Sequence, residues 1–397
     1  MKKLIYLLLL VSSALSAFAE IPARTFELGS TTYGGFANNS FIAGDFLQKT
    51  LVIDFNKIVK DIGNDGFKFN GSTGYNSYFN LNLPKKFDGG LFLGVNSSMY
   101  TRMPTDLFDL VATGNKLDKE YKDSFDLVTD ITFEMGARYT RQIGPVKATI
   151  RPAIFTPIIS VSDSQISYTM KSTSAGLTEV TGTTDMAVCS PFSLEEFSKG
   201  IDTGTIIGKT LLAGGLDLGL GAEYPLLPVL DLSASLTSIP IVPSRMAYRA
   251  RYSSTFNFKM DNLLQNYDNS LFKTTSSSES AYEGKTTYVL RPFKIGVSAA
   301  YRPFKTKIVT LTPDFALAIY HDVYVDGGLQ AKLDIMNLWI LTLDSRYVDK
   351  VWRQSIGSTL NFRVIQFDTV IGSQSQSFLK SFQGAGFYVS LGSRIGF

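Results

Sequence analysis

Gly386-Phe-Tyr-Val-Ser-Leu-Gly-Ser-Arg-Ile-Gly-Phe397 is the stretch that decides the fold. Counting back from the end, Phe397, Ile395, Ser393, Leu391, Val389 and Phe387 share one face. Gly396, Arg394, Gly392, Ser390 and Tyr388 share the other. A period of two marks a strand with one apolar face and one polar or small face. The question is what medium touches each face.

The other end of the chain speaks to location. Met1-Lys2-Lys3 is cationic, Leu4 to Ala17 is apolar, and Ala17-Phe18-Ala19 offers a small-x-small cleavage site. We expect a signal peptide over residues 1–19, with mature chain from about Glu20. The alternative is a membrane anchor, but the apolar stretch is short of the ~20 residues a spanning helix needs. The final strand resembles the closing strand of bacterial outer-membrane β-barrels. That resemblance implies recognition of Phe397 by the barrel-assembly machinery and contact with outer-membrane lipid.

Composition narrows the class. Loss of Lys2 and Lys3 would take the formal charge from +3 to about +1, leaving no electrostatic reason for a nucleic-acid partner. Cys189 is the only cysteine, so no disulfide framework or thiolate metal site is available. No GxxxxGK[ST], GxGxxG, HExxH or CxxC spacing occurs, and no cofactor is expected. Beyond the leader no apolar run reaches the ~18 residues of a helical span. A membrane protein without such helices must be a closed barrel, since lipid cannot satisfy open sheet edges.

Strand length separates that barrel from a soluble sandwich. Phe125–Tyr139 alternates Phe125, Leu127, Ile131, Phe133 and Met135 against Asp126, Asp130, Glu134 and Arg138. Leu212–Tyr224 and Met246–Tyr252 alternate likewise. Such runs exceed the ~5–6 residues of globular strands and suit the ~9–11 that cross a bilayer at a tilt. Tyr139, Tyr224, Tyr252 and Tyr301 stand where an interfacial aromatic girdle belongs. Further strands are expected within 75–100, 146–173, 230–237, 287–343 and 355–371, for an all-β, transmembrane antiparallel β-barrel of about 14 strands over residues 71–397. Tight turns at 142–145, 225–228 and 303–307 face long insertions at 102–124, 174–210, 261–285 and 372–384.

Residues 20–70 read differently. Phe46, Leu47, Leu51, Phe55, Ile58 and Val59 have partly helical spacing, and Asn64-Asp-Gly66 supplies a turn. We expect an N-terminal, partly helical plug-like segment. It would lie in the lumen or pack beneath the barrel; an extra strand pair or a poorly ordered lead-in are the alternatives. The Gly-rich stretch Gly29 to Asn39 and the strand Arg291-Pro-Phe-Lys-Ile-Gly-Val-Ser-Ala-Ala-Tyr301 resemble FadL-type long-chain fatty-acid transporters. The likeness spans most of the mature chain in pattern. It implies 14 strands, an N-terminal hatch and passive passage of hydrophobic compounds. The family's Asn-Pro-Ala hatch motif is absent, because Asn38-Asn39 is followed by Ser40 and Phe41.

On that resemblance Phe36, Phe41, Phe46 and Leu47 would line a pocket for a hydrophobic or amphipathic solute. Arg151, Arg249 and Arg251 are the candidates to hold an anionic headgroup. Asp130, Glu134, Arg138, Lys147, Asp217 and Glu223 share their expected lumen faces, and cross-strand pairing explains such mixed charge equally well. His321, the only histidine, adjoins Asp322, and successive strand residues point to opposite faces. No enzyme is expected. The competing functions are a general diffusion porin and a non-transporting barrel whose long loops bind partners.

Overall fold

A computed structural model describes residues 24–46, 54–83, 87–114, 116–173, 178–193, 196, 202–260, 272–282, 286–304, 307–319 and 323–397. The expected leader, Leu47 and His321 lie outside the described residues. Among the described residues the first strands are β1 (Phe26–Asn38), β2 (Phe67–Leu83), β3 (Phe87–Met103), β4 (Glu120–Ile143) and β5 (Val146–Ser172). Next come β6 (Thr178–Ser190), β7 (Gly215–Leu227), β8 (Leu230–Val242), β9 (Ser244–Met246), β10 (Tyr248–Met260) and β11 (Phe272–Tyr282). The remainder are β12 (Thr287–Val289), β13 (Phe293–Tyr301), β14 (Val309–Ile319), β15 (Val323–Ile335), β16 (Trp339–Val348), β17 (Val351–Asn361), β18 (Ile365–Ser375) and β19 (Phe387–Gly396). Five helices are described: α1 (Ala43–Phe46), α2 (Phe55–Ile62), α3 (Thr105–Thr113), α4 (Thr203–Leu212) and α5 (Phe378–Ser381).

Antiparallel ladders run β1 to β5 in sequence, then from β5 to β7, β7 to β8 and β8 to β13. They continue from β13 through β19, and β19 pairs β1 from Glu27↔Gly396 to Phe36↔Phe387. The sheet therefore closes on itself. It holds 17 strands rather than about 14, because β6, β10 and β11 form a side branch. β5 makes that branch possible. Lys147–Phe155 pairs β7, whereas Ser160–Ser172 pairs β6, which pairs β10, which pairs β11.

Alternation sorts the side chains. Phe387, Leu391 and Ile395 of β19 point outward and are about half exposed, as are Leu329, Leu343, Ile356 and Ile371 on neighbouring strands. Water would penalise such a continuous apolar exterior at roughly 25 cal/mol per Å², so a lipid surround is the environment it fits. Tyr139, Tyr224 and Tyr301 sit exposed at the ends of β4, β7 and β13, and Phe87 packs on Tyr139 at 5.7 Å. Tyr252 departs from this girdle because β10 belongs to the branch.

The start of β1, Phe397 and the connections after β4, β7, β13, β15 and β17 gather at one end. Connections carrying the helices gather at the other, the arrangement of periplasmic turns and outer loops. Wall height is uneven. β4 and β5 run 24 and 27 residues, whereas β16 has 10. At β16–β17 the outer edge is a two-residue hairpin in which Asp349 (φ 51°) and Lys350 (φ 66°) both adopt positive φ, as a type I′ turn demands.

The expected plug over residues 20–70 needs correction. Residues 26–38 are wall, because β1 supplies both ladders needed to close β19 against β2. α1 and α2 follow at the outer rim, opposite the end that holds Phe26 and Phe397. There Ile58, Ile62 and Phe67 form a small core, with Phe41, Phe55, Phe69, Met103 and Phe108 packed on it. Met246–Tyr252 is likewise not one wall strand. It is split at Ala247 between β9 and β10.

Candidate functional site

The inward face of the wall carries charge in opposed pairs. Arg394 donates to Asp368 at 3.1 Å, Arg138 to Asp88 at 3.0 Å, and Arg346 to Asp344 at 2.7 Å. Lys294 bridges Asp326 (2.5 Å) and Asp349 (3.2 Å), while Arg302 meets Asp231. Asp88, Asp231, Asp326, Asp344 and Asp368 stand on strands, where alternation turns them inward, and Asp349 reaches Lys294 from the β16–β17 turn. Such pairs remove the fixed charge that an ion-selective pore would present.

One segment leaves the wall. Among the described residues β9 and β12 pair only with each other, as a two-stranded sheet separate from the main one. Ser244 and Met246 are fully buried, and the Ser244 hydroxyl and the Arg245 N–H both donate to the carbonyl of Ala213. From β12 the chain continues through Leu290, Arg291 and Pro292 into β13. Although β13 pairs β8 and β14, Arg291 reaches Asp217 on β7 (Nε–Oδ2 2.6 Å) and Glu134 on β4, with its guanidinium over the Phe155 ring on β5 at 4.9 Å. Glu134 also accepts from Arg151 at 2.9 Å, and Arg151 lies over Phe92 at 3.8 Å. Asp217 is almost completely buried. The β9–β12 segment is thus an inward tongue tied to β7, β5 and β4 of the wall.

Beside the tongue lies a lumen cavity of about 440 Å³. Val128, Phe155, Leu290, Pro292 and Val351 give it apolar surface, and Asp130, Arg291, Asp349 and Arg353 give it charge. Its size falls in the range of small-ligand pockets. Arg353 differs from the other lumen arginines, for it has no ion pair among the described residues. Its Nε donates to buried Gln374 at 3.2 Å and its plane lies 3.7 Å from the Tyr388 ring centroid. Those two contacts orient the guanidinium and leave its terminal nitrogens for the cavity. Asp130 accepts from Ser160 at 2.6 Å.

The sequence candidates scatter. Arg151 is in the lumen as expected. Arg249 and Arg251 are on β10, in the branch, where Arg251 pairs Asp185 at 2.7 Å. Phe36 faces outward between Phe69 and Phe387, at centroid distances of 5.8 and 4.9 Å. Phe41 belongs to the rim core and packs edge-on against Phe67 at 5.6 Å. Phe46 ends α1 at the outer rim. Lys147 and Glu223 pair at 3.7 Å near the turn end of the wall. Arg353 and Gln374 carried no sequence signal, because only the pairing of β17 with β18 and of β18 with β19 sets them beside Tyr388. Outside the wall, the hydrogen bond to Asp45 (2.8 Å) holds the Lys57 ammonium above its ordinary value.

No family model matches the chain, and no curated protein matches it. Solved structures similar in fold include the P. putida toluene transporter TodX, at 10% identity and TM-score 0.48, covering 94% of this chain and 89% of that one. The Ralstonia pickettii toluene transporter TbuX is 7% identical with TM-score 0.42 and coverage of 95% and 90%. The CymD monoaromatic hydrocarbon channel is 9% identical with TM-score 0.45 and coverage of 95% and 89%. At that identity and TM-score the likeness says nothing of what this chain carries.

Proposed function

We propose that the protein is a passive outer-membrane channel for small hydrophobic or amphipathic solutes, fatty acids among them. The observation that carries this reading is the lumen cavity, lined mostly by apolar surface, with Arg353 set into it free of any ion pair among the described residues. A solute would set its apolar body against Val128, Phe155 and Leu290 and its polar group toward Arg353. The tongue narrows the lumen at that level, which disfavours a wide water-filled pore. Expected partners are outer-membrane lipid and, through Phe397, the assembly machinery.

Reconstituted protein provides the test. Proteoliposomes should take up toluene or octanoate faster than protein-free vesicles, and should show little swelling in arabinose. Free passage of arabinose with no measurable uptake or binding of either apolar probe would instead establish a general porin.

A further inference from the structure

The tongue itself holds the less obvious property. Its residues Val289, Leu290, Arg291 and Pro292 line the cavity together with Ser98 and Tyr100 of β3 and with Val351 and Arg353 of β17. Those strands are not neighbours of β13, so the segment stands inward of the wall. Its backbone contributes no ladder to the main sheet. Short strands with such sparse pairing open at little cost unless side chains hold them. Ser244 and Arg245 tie the β9 side to Ala213, and Arg291 is the holder on the β12 side, because its Nε and terminal nitrogens engage two carboxylates on two different wall strands.

We propose that the β9–β12 tongue is the size filter of this barrel and that Arg291 is its positioning residue, pinning a mid-chain constriction to Glu134 and Asp217. The pin holds one wall of the cavity in place and thereby sets the largest solute that passes. This holds whichever solute the channel carries. Arg151 serves as the internal control. It shares Glu134 with Arg291 but stands on β5, so its loss leaves Arg291 bound to both Glu134 and Asp217 and the tongue attached.

Cys189, the only cysteine, reports on the same segment, since its buried Sγ lies 3.7 Å from Thr287 Oγ1 at the start of β12. The experiment uses the whole protein in planar bilayers and in vesicles, with folding checked by heat-modifiable gel migration. Arg291→Ala should raise unit conductance about threefold or more, admit larger sugars, and speed Cys189 labelling by a water-soluble maleimide about tenfold. Arg291→Lys should restore part of the barrier, and Arg151→Ala should leave unit conductance, the sugar cut-off and Cys189 labelling where they are. If Arg291→Ala does not fold, the Glu134→Gln, Asp217→Asn pair tests the same pin. Folded variants with unchanged conductance overturn the filter, whether or not Cys189 labelling changes. Equal effects from Arg151→Ala overturn the role of Arg291.

Discussion

Arg353 shows what one side chain can decide in a lumen of balanced charge. Its guanidinium is fixed by Gln374 and Tyr388 without a carboxylate, so an anionic head entering the cavity meets a ready donor pair. Arg353→Gln should weaken octanoate binding about tenfold or more while leaving toluene uptake near wild type, read by equilibrium binding and vesicle uptake. Gly29 is constrained for a different reason. Its Cα lies under the Tyr78 ring, where an added Cβ would fall 2.4 Å from Cζ. Tyr78 donates to Glu27 at 2.9 Å across the β1–β2 seam. Gly29→Val should therefore displace Tyr78 and lower the temperature at which the closed barrel loses its fast gel migration. Sequence reading placed Arg394 inward correctly, since alternation from the terminal Phe suffices. It could not separate Arg151 from Arg249 and Arg251, because alternation does not tell a wall strand from a strand standing above the wall.

At the level of elements, length and exposure carry the membrane assignment. Leu343 on β16 is 58% exposed on the outward face. Leu343→Arg should cost about 2–4 kcal/mol if that position lies near the bilayer midplane, measured by denaturant titration in lipid. The helices obey ordinary capping. Asp202 accepts from the N–H groups of Gly204 (3.0 Å) and Thr205 (3.0 Å) at the start of α4. Those bonds hold its carboxyl below the ordinary value. The cap is complete above the usual carboxylate range and is lost as pH falls through the depressed value. Hydrogen exchange in residues 203–212 should accelerate at about pH 3 relative to neutral pH beyond the intrinsic change, and Asp202→Ala should remove that difference. β1 escaped the sequence reading because Gly29, Gly34 and Gly35 interrupt its alternation. β6 and β11 escaped because runs such as Thr181-Gly-Thr-Thr184 and Ser276-Ser-Ser278 look like loop while being paired throughout.

For the whole molecule, the antiparallel, closed, apolar-coated architecture was legible from the two ends of the chain and the long alternating runs. The constriction was not, because a short inward strand looks the same in sequence as a piece of wall. The sequence leaves the N-terminal segment open between the lumen, the underside of the barrel and an extra strand pair, for want of any signal about which end of the barrel follows β1. Two facts drawn from register alone, β5 changing partner and β8 waiting for β13, determine the side branch and the tongue.

Those two facts also say something about heredity. The chain departs from the ring twice, between β5 and β7 and again between β8 and β13, and the two departures meet as the β6–β10 ladder from Tyr248↔Ser190 to Met260↔Thr178. Neither excursion is therefore an independent insertion. Removing one strips a thirteen-residue strand of its neighbour and leaves a raw edge that invites pairing with another molecule. Removing both leaves the ladders of the ring untouched. Variants lacking only one excursion should run as oligomers on native gels, and a double deletion that also shortens β5 over Ser160–Ser172, whose partner is β6, as a monodisperse barrel. The pair is best regarded as a single inherited part, acquired or lost together.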